Sequence, residues 1–475
     1  MDKETFLKYG HEFIDWIADY FENIEDFPVL AQVEPGDIAA RLPESPPDNS
    51  ESMEAIFDDF KQIILPGMTH WQHPSFFAYF PANNSEPSVL AEFLIAALGA
   101  QCMIWQTSPA ATELEEVVME WLRKMLGLPD RFKGVIQDTA STSTLCALLC
   151  AREKSTNFRI NDTGFGGEEV QNLTVYTSEE SHSSVEKGVK IAGFGRQNLR
   201  LIPADETFAM IPEELEKAIL ADQQEGRVPC CVVATVGTTS STGIDPLEPI
   251  GRICEKHGLW LHVDAALAGT AAVIPKMRHI LDGIELADSL VFNPHKWLFT
   301  NFDCSAYYCR DTKALTSTFE ILPEYLKTDL DRRVNNFRDW GIPLGRRFRA
   351  LKLWFVIRHY GVKGLQEKIQ SHIDLAGEFE SWVIKEPGFE VLAPVILNLV
   401  CFRYHPADRA YPEEELEKIN KDLMDSLNRS GKMFITHTKL KGKFCLRLSI
   451  GQTNTEREHV AKAWELIKSM VRERG

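Results

Sequence analysis

The chain of 475 residues lacks most of the features that sort a protein quickly. Its ten cysteines form no C-x-x-C pair and sit mostly in apolar runs, so they read as reduced, buried thiols of a cytosolic protein. No apolar run approaches the length needed to span a membrane. The opening "MDKETFLKYGHEFIDW" begins with charges and reads as an amphipathic helix, not a signal peptide. The Asn-x-Ser/Thr triplets, such as Asn172-Leu173-Thr174, are then chance matches. A basic excess is also missing. With 51 Lys and Arg against 69 Asp and Glu, the net charge is -18, which argues against nucleic acid as a partner and does not exclude small anions held locally. There is no internal repeat, no low-complexity tract, no Gly-x-x-x-x-Gly-Lys spacing, and no G-x-G-x-x-G after a strand. A P-loop and a nicotinamide-binding fingerprint are therefore both absent.

What is present is an ordinary globular composition, 44% hydrophobic and 25% charged, in a chain long enough for a large core. The first eighty or so residues show helical patterning broken by the loop "RLPESPPDNSES" (41–52), and "MEAIFDDFKQIILPG" stops at Pro66-Gly67. From about residue 130, β-branched runs alternate with amphipathic stretches. The runs at 172–178, 198–204, 230–236, 259–265 and 288–293 predict strands. "SVEKGVKIAGFG", "IPEELEKAILADQQEG" and "PLEPIGRICEKHG" between them predict helices. This alternation predicts a mostly parallel sheet covered on both faces. Beyond about residue 350, a long helix ("ALKLWFVIRHYG") and the short strands "LNLVCFRYH" and "KFCLRLSIG" predict a smaller α+β domain.

In an open α/β sheet, ligands sit outside the carboxyl ends of the strands. There this chain places Asp264 ("HVDAA"), Thr235 ("VVATVGTT"), and Asn293, His295 and Lys296 ("VFNPHK"). Lys296 stands between Leu290-Val291-Phe292 and Trp297-Leu298-Phe299, and a lysine in such a setting either snorkels to a surface or reacts. Asp264 reads as a helix cap or as an anchor for a cationic nitrogen. The small polar run Thr139 to Thr144 opens an apolar-periodic helix, which reads as plain N-capping or as a phosphate seat. His182, in "YTSEESHSSVEKG", reads as a cap or as a cover for a flat ring. "THWQHPSFFAYFP" (Thr69 to Pro81) crowds aromatic and imidazole rings beside prolines and reads as core or as the wall of an apolar pocket. His70 and His73 lack a third ligand, so no metal is expected. A phosphate seat, a carboxylate, a stacking histidine and a reactive lysine together are the fittings of pyridoxal 5'-phosphate.

At this point the sequence closely resembles a known family, the pyridoxal-phosphate-dependent aromatic L-amino acid decarboxylases (the DOPA, tyrosine and tryptophan decarboxylase group). The matching motifs cover almost the whole chain: "VEPGDIAARLPESPP", "PGMTHWQHPSFFAYFP", "SPAATELE", "GVIQDTAS", "SHSSVEKG", "VATVGTT", "LHVDAA", "FNPHKWL" and "IPLGRRFRALKLWFVIRHYG". The resemblance implies an aspartate-aminotransferase-like fold (fold type I). Its segments would be an N-terminal helical dimerisation segment (1–82), a large cofactor-binding domain (83–350) and a small C-terminal α+β domain (351–475). It implies a cytoplasmic homodimer with active sites at the subunit interface. By position, Lys296 matches the Schiff-base lysine, Asp264 the partner of the ring nitrogen, and His182 the histidine stacked on the ring. Ala140, Ser141 and Asn293 match phosphate-binding positions, Thr235 lies beside the ring, and His295 precedes the lysine. Trp71, Tyr79, Phe80, Pro81, Ala82, Met103 and Gly345 match the substrate pocket.

The segment "ILPEYLKTDLDRRVNNF" (321–337) reads as a lid, and its Tyr325 matches the tyrosine that protonates Cα after carbon dioxide leaves. Relatives with Phe there oxidise the amine to an aldehyde, so Tyr325 with His182 favours simple decarboxylation over aldehyde synthesis. The chain departs from common patterns at Ala82, where animal DOPA decarboxylases carry a threonine, and at Leu267, a tyrosine in many relatives. Gly345 leaves room for a large ring. Tryptophan, tyrosine, phenylalanine and DOPA all stay in view as substrates. The competing readings are an aldehyde synthase, a non-catalytic dimer of the same fold, and, well behind, a nicotinamide oxidoreductase.

Overall fold

The computed structural model describes residues 1–165, 172–321 and 333–473. Its contacts group into two compact units. The first comprises Met1–Pro81, Glu378–Val391 and Cys401–Gly475, and the second Ala82–Gly377 and Leu392–Val400.

The second unit is built on a seven-stranded sheet. Its strands are β1 (Lys133–Gln137), β2 (Leu173–Ser178), β3 (Leu199–Ile202), β4 (Val228–Thr235), β5 (Trp260–Asp264), β6 (Ser289–Phe292) and β7 (Ser305–Cys309), in the order β1-β7-β6-β5-β4-β2-β3. The neighbouring pairs from β6 through to β3 are parallel, and β7 runs antiparallel to both β1 and β6. Every residue of β2, β5, β6 and β7 is buried, and the parallel strands β2, β5 and β6 accordingly read as near-continuous apolar runs rather than as alternation. The expected helices form at Ser184–Ile191, Pro212–Gln224 and Leu247–His257. The last two expose one polar face and bury Leu215 and Ile219, and Leu247, Ile250 and Ile253. Helix Ala140–Ser155 packs Cys146, Ala147, Leu148, Cys150 and Ala151 into the core beside Val175, Cys231 and Val291. All ten cysteines are buried thiols outside any disulfide.

Strands β1 and β7 were not among the expected ones. Their pairing places the N-terminal end of β7 at the sheet edge where its neighbours have their C-terminal ends, with Gln137 opposite Ser305 and Phe292 opposite Ala306.

In the first unit, helix Lys3–Glu22 is capped by Asp2, whose carboxylate accepts from Thr5 N–H at 2.8 Å. Its Phe13 and Trp16 meet Phe57 at 4.5 and 5.9 Å, while Phe6, Leu7 and Ile14 stay exposed. A smaller sheet contains β8 (Phe389–Val391), β9 (Leu399–Tyr404), β10 (Thr436–Leu440) and β11 (Lys443–Ser449) in the order β10-β11-β9-β8. The aromatic run belongs to this unit. Trp71 stacks on Tyr79 (5.8 Å), and Phe434 meets Phe76 and Tyr79 edge-on at 5.5 and 5.9 Å. Tyr79 holds a left-handed φ of 53°, a conformation that costs about 1–3 kcal/mol and persists only where its surroundings impose it. His70 and His73 have core partners. The Tyr20 hydroxyl lies 2.8 Å from His70 Nδ1, and Ser75 N–H donates to His73 Nδ1 at 2.9 Å. Burial pushes His73 down to about 4.

Candidate active site

Because the strands from β6 to β3 are parallel, the residues that follow β2, β4, β5 and β6 arrive at one sheet edge. The register then fixes the lateral order. Thr235 pairs with Asp264, and Asp264 with Val291, one residue before the end of β6. Beyond β6 the chain turns: Asn293 N–H donates to the Ala266 carbonyl and Lys296 N–H to the Asn293 carbonyl, each at 2.9 Å. Pro294 starts the single turn Pro294–Trp297 that carries the lysine.

The electrostatics tie three residues together. Lys296 is half-buried as a residue, but its amine is desolvated, which pushes its pKa below the ordinary lysine value while the charge of Asp264 pulls it back up. His182 is lowered first by burial of its ring, raised by Asp264 and lowered by Lys296, although the residue as a whole is exposed. Its Nδ1 accepts the Ser184 N–H at 3.2 Å and lies 2.7 Å from the Ser184 hydroxyl, so the proton of the neutral ring sits on Nε2. His295 is buried, accepts the Cys304 N–H at 2.8 Å and is pushed down to about 3, chiefly by desolvation. It is a neutral ring at physiological pH.

Asp264 is 5% exposed and holds the turn after β5 by accepting the Ala266 N–H at 3.0 Å. Beside it, Thr235 Oγ1 is buried and has no hydrogen-bond partner among the described residues. A buried hydroxyl left unpaired costs about 1–3 kcal/mol, so its presence at this edge points to a ligand. Ala140 and Ser141 are the first residues of helix Ala140–Ser155, with Thr139 as its cap. Its first-turn N–H groups and hydroxyls suit an anion. The donor set fits pyridoxal 5'-phosphate: an anion seat, an orphaned hydroxyl, a buried carboxylate and a desolvated amine converge at one edge.

Of the pocket candidates, three belong to this unit. Ala82 precedes Asn83, whose N–H donates to the His295 carbonyl at 2.9 Å and whose Nδ2 donates to the Lys296 carbonyl at 2.8 Å. Met103 and Gly345 lie on adjoining segments: Cys102 N–H donates to the Arg346 carbonyl (3.0 Å), and Arg346 N–H to Gln101 Oε1 (2.6 Å). Trp71, Tyr79, Phe80 and Pro81 are in the first unit. Tyr325 lies outside the described residues.

The comparisons with known proteins decide the family. The model for the pyridoxal-dependent decarboxylase conserved domain matches residues 35–405. This chain belongs to the pyridoxal-dependent decarboxylases. It is a carboxy-lyase of the aromatic amino acid branch with pyridoxal 5'-phosphate as cofactor, and its fold is type I. It is 45% identical to phenylacetaldehyde synthase of Arabidopsis thaliana, over 98% of this chain and 96% of that protein. It is also 45% identical to tyrosine decarboxylase 2 of Narcissus pseudonarcissus, over 99% and 95%. The crystal structure of Oryza sativa TDC with PLP and tryptamine superposes with a TM-score of 0.96 at 39% identity, covering 100% of this decarboxylase and 99% of that chain.

Several contributors escaped sequence reading. Asp245 accepts the N–H groups of Thr235 and Met210, each at 2.7 Å, and returns its own N–H to the Thr235 carbonyl at 3.0 Å. Burial raises its carboxyl to about 7 against the pull of those two donors. His262 bridges Thr144 (3.2 Å) and Ser289 (2.9 Å) from two residues before Asp264. Ser305 contacts Asn293. The only local signals were polar residues in otherwise apolar strands (His262, Ser289) and the turn "STGIDP".

Proposed function

We propose that this enzyme decarboxylates aromatic L-amino acids of the tryptophan, tyrosine, phenylalanine and DOPA class to their arylalkylamines, with broad preference among them. The observation that carries the reading is the convergence of the desolvated Lys296 amine, the Asp264 carboxylate and the His182 ring at one sheet edge. When bound, the cofactor supplies an electron sink for the pair left behind by carbon dioxide.

The chain's own residues do the rest. Lys296 binds the cofactor covalently, and its depressed pKa keeps more of the amine in the nucleophilic form. Asp264 holds a proton at the ring nitrogen, and its small neighbours Ala265 and Ala266 leave room for a ring beside it. His182 covers the ring face. Asn293 and the start of helix Ala140–Ser155 hold the phosphate. Thr235 offers its unpaired hydroxyl beside the ring. Tyr325 delivers the proton to Cα. Within the second unit, Ala82, Met103 and Gly345 line the side-chain pocket. Ala82 offers no hydroxyl to a ring substituent, and Gly345 offers space, which supports acceptance of an indole.

The segments divide as an N-terminal helical dimerisation segment (1–82), a cofactor domain (83–350) and a small domain (351–475). The enzyme works as a cytoplasmic homodimer with its active sites at the subunit interface. Apolar side chains left exposed in the single chain support this: Phe6, Leu7 and Ile14 on the first helix, and Leu90, Phe93, Leu94 and Leu98 on helix Glu86–Leu98. No helix among the described residues is long and apolar enough to cross a membrane.

A second reading, oxidative conversion to an aldehyde, is favoured by the likeness to phenylacetaldehyde synthase and opposed by Tyr325. Amine release from each of the four amino acids, measured with pyridoxal 5'-phosphate supplied, tests the proposal. Tryptamine and tyramine are both expected, and turnover of neither would overturn it.

A further inference from the structure

If Asn293 holds the phosphate, only its amide N–H pair suits the anion, because its carbonyl oxygen is an acceptor. Ser305 settles which way the amide faces. Its hydroxyl donates to Asn293 Oδ1 at 2.7 Å, which commits its single proton and turns the N–H pair away from the serine. Ser305 Oγ also lies 3.3 Å from Ser143 Oγ. The Ser143 hydroxyl donates to the carbonyl of Thr139, the cap of helix Ala140–Ser155, at 3.2 Å. With both hydroxyl protons committed elsewhere, the approach of the two serines is a packing contact. Ser143 and Ser305 thus sit side by side between the helix start and Asn293, with Ser305 the donor to the amide. Ser143 and Ser305 are fully buried and Asn293 is 3% exposed, so water does not replace a lost partner.

The fold explains the position. Ser305 is the first residue of β7, whose reversed direction brings its N-terminal end to the edge where β1 leads into the helix and β6 leads into Asn293. A parallel strand in that slot would present its C-terminal end instead.

We infer that Ser305 is a positioning residue for phosphate binding, holding the Asn293 amide with its N–H pair toward the phosphate and in register with the first turn of helix Ala140–Ser155. The inference rests on the role proposed for Asn293. Ser305 acts through that side chain and has no contact of its own with substrate.

The test titrates apoenzyme with pyridoxal 5'-phosphate and, separately, with pyridoxal, which lacks the phosphate. Tryptophan fluorescence reads binding in the wild type, Ser305→Ala, Asn293→Ala and the double variant, and the thermal midpoint of each apo form is recorded. Losing one charge-assisted contact weakens the phosphorylated ligand by about tenfold. Ser305→Ala is expected to show that loss with pyridoxal affinity unchanged, together with a lower apo midpoint because Asn293 Oδ1 is left buried without its donor. It is expected to add nothing once Asn293 is Ala. Ser305→Cys, which fills the site but donates weakly, is expected to shift affinity in the same direction and serves if the alanine variant does not fold. Unchanged affinity in Ser305→Ala, equal losses for both ligands, or additive losses in the double variant would overturn the inference. Unchanged affinity in Asn293→Ala would instead overturn the phosphate role of Asn293, and the inference with it.

Discussion

Replacing Thr235 with Val separates a ligand-directed hydroxyl from a merely structural one. Valine keeps the branched shape at the end of β4 and removes only Oγ1, which is buried and has no partner among the described residues. The backbone clamp is untouched, because Asp245 bonds the Thr235 N–H rather than its side chain. An unpaired buried hydroxyl costs about 1–3 kcal/mol, so the apo form of the variant should gain roughly 1 kcal/mol in urea denaturation. If the same hydroxyl contacts the cofactor, its loss forfeits about 0.5–1.5 kcal/mol of binding, or roughly two- to tenfold in the dissociation constant. The two effects carry opposite signs, which a packing defect cannot reproduce. Denaturation curves on apoenzyme and a cofactor titration on the same preparation read both. A variant that is less stable in the apo form and binds cofactor as well as wild type would refute the assignment.

Other substitutions probe the rest of the site. Lys296→Met should leave no cofactor attached after borohydride reduction. It should also stabilise the apo form, and the pH dependence gives the sign. The folded-state pKa of Lys296 lies below its unfolded value of 10.5, so the folded chain binds fewer protons. The resulting cost is fully present below the folded pKa and fades as pH rises to 10.5. The stability gain in the variant should therefore be larger at pH 7 than at pH 10.5, and a pH-independent difference would count against a desolvated amine. Gly345→Ser places a Cβ about 3.1 Å from Gln101 Nε2, tight enough to push that neighbour, so kcat/KM for tryptophan should fall more than that for tyrosine. Equal losses would remove Gly345 from the specificity wall. Tyr325→Phe should divert product from amine toward aldehyde and peroxide, and an unchanged amine yield would reassign the Cα proton donor.

The parts of this fold legible in sequence are those whose signal is local. Central parallel strands are buried on both faces and read as apolar runs, so β2, β4, β5 and β6 were visible, and with them the residues at their ends. The partly buried edge strand β3 showed through its alternating "LRLI". Strand β1 carries Lys133 and Gly134 at its start, and β7 follows the loop "NFDC", so neither shows a clean run. Thr436–Leu440 alternates polar residues along an edge strand and was equally silent. Lys296, Asp264 and Asn293 stood out because charged and amide groups interrupt apolar runs. Asp245, His262 and Ser305 did not, because their significance lies in partners distant in sequence: Thr235 and Met210 for Asp245, Thr144 and Ser289 for His262, Asn293 and Ser143 for Ser305. Contacts of that kind follow from register, and register follows from which strands pair. The antiparallel placement of β7, which no local pattern announces, is what makes Ser305 a neighbour of both.

The central claim is that this enzyme ends its reaction at the amine. The most direct measurement is the product stoichiometry of the wild-type holoenzyme turning over an aromatic amino acid, with carbon dioxide, amine, aldehyde, ammonia and hydrogen peroxide quantified in one reaction. The account predicts one amine for each carbon dioxide released, with no peroxide above background. Aldehyde, ammonia and peroxide formed in step with carbon dioxide would contradict it.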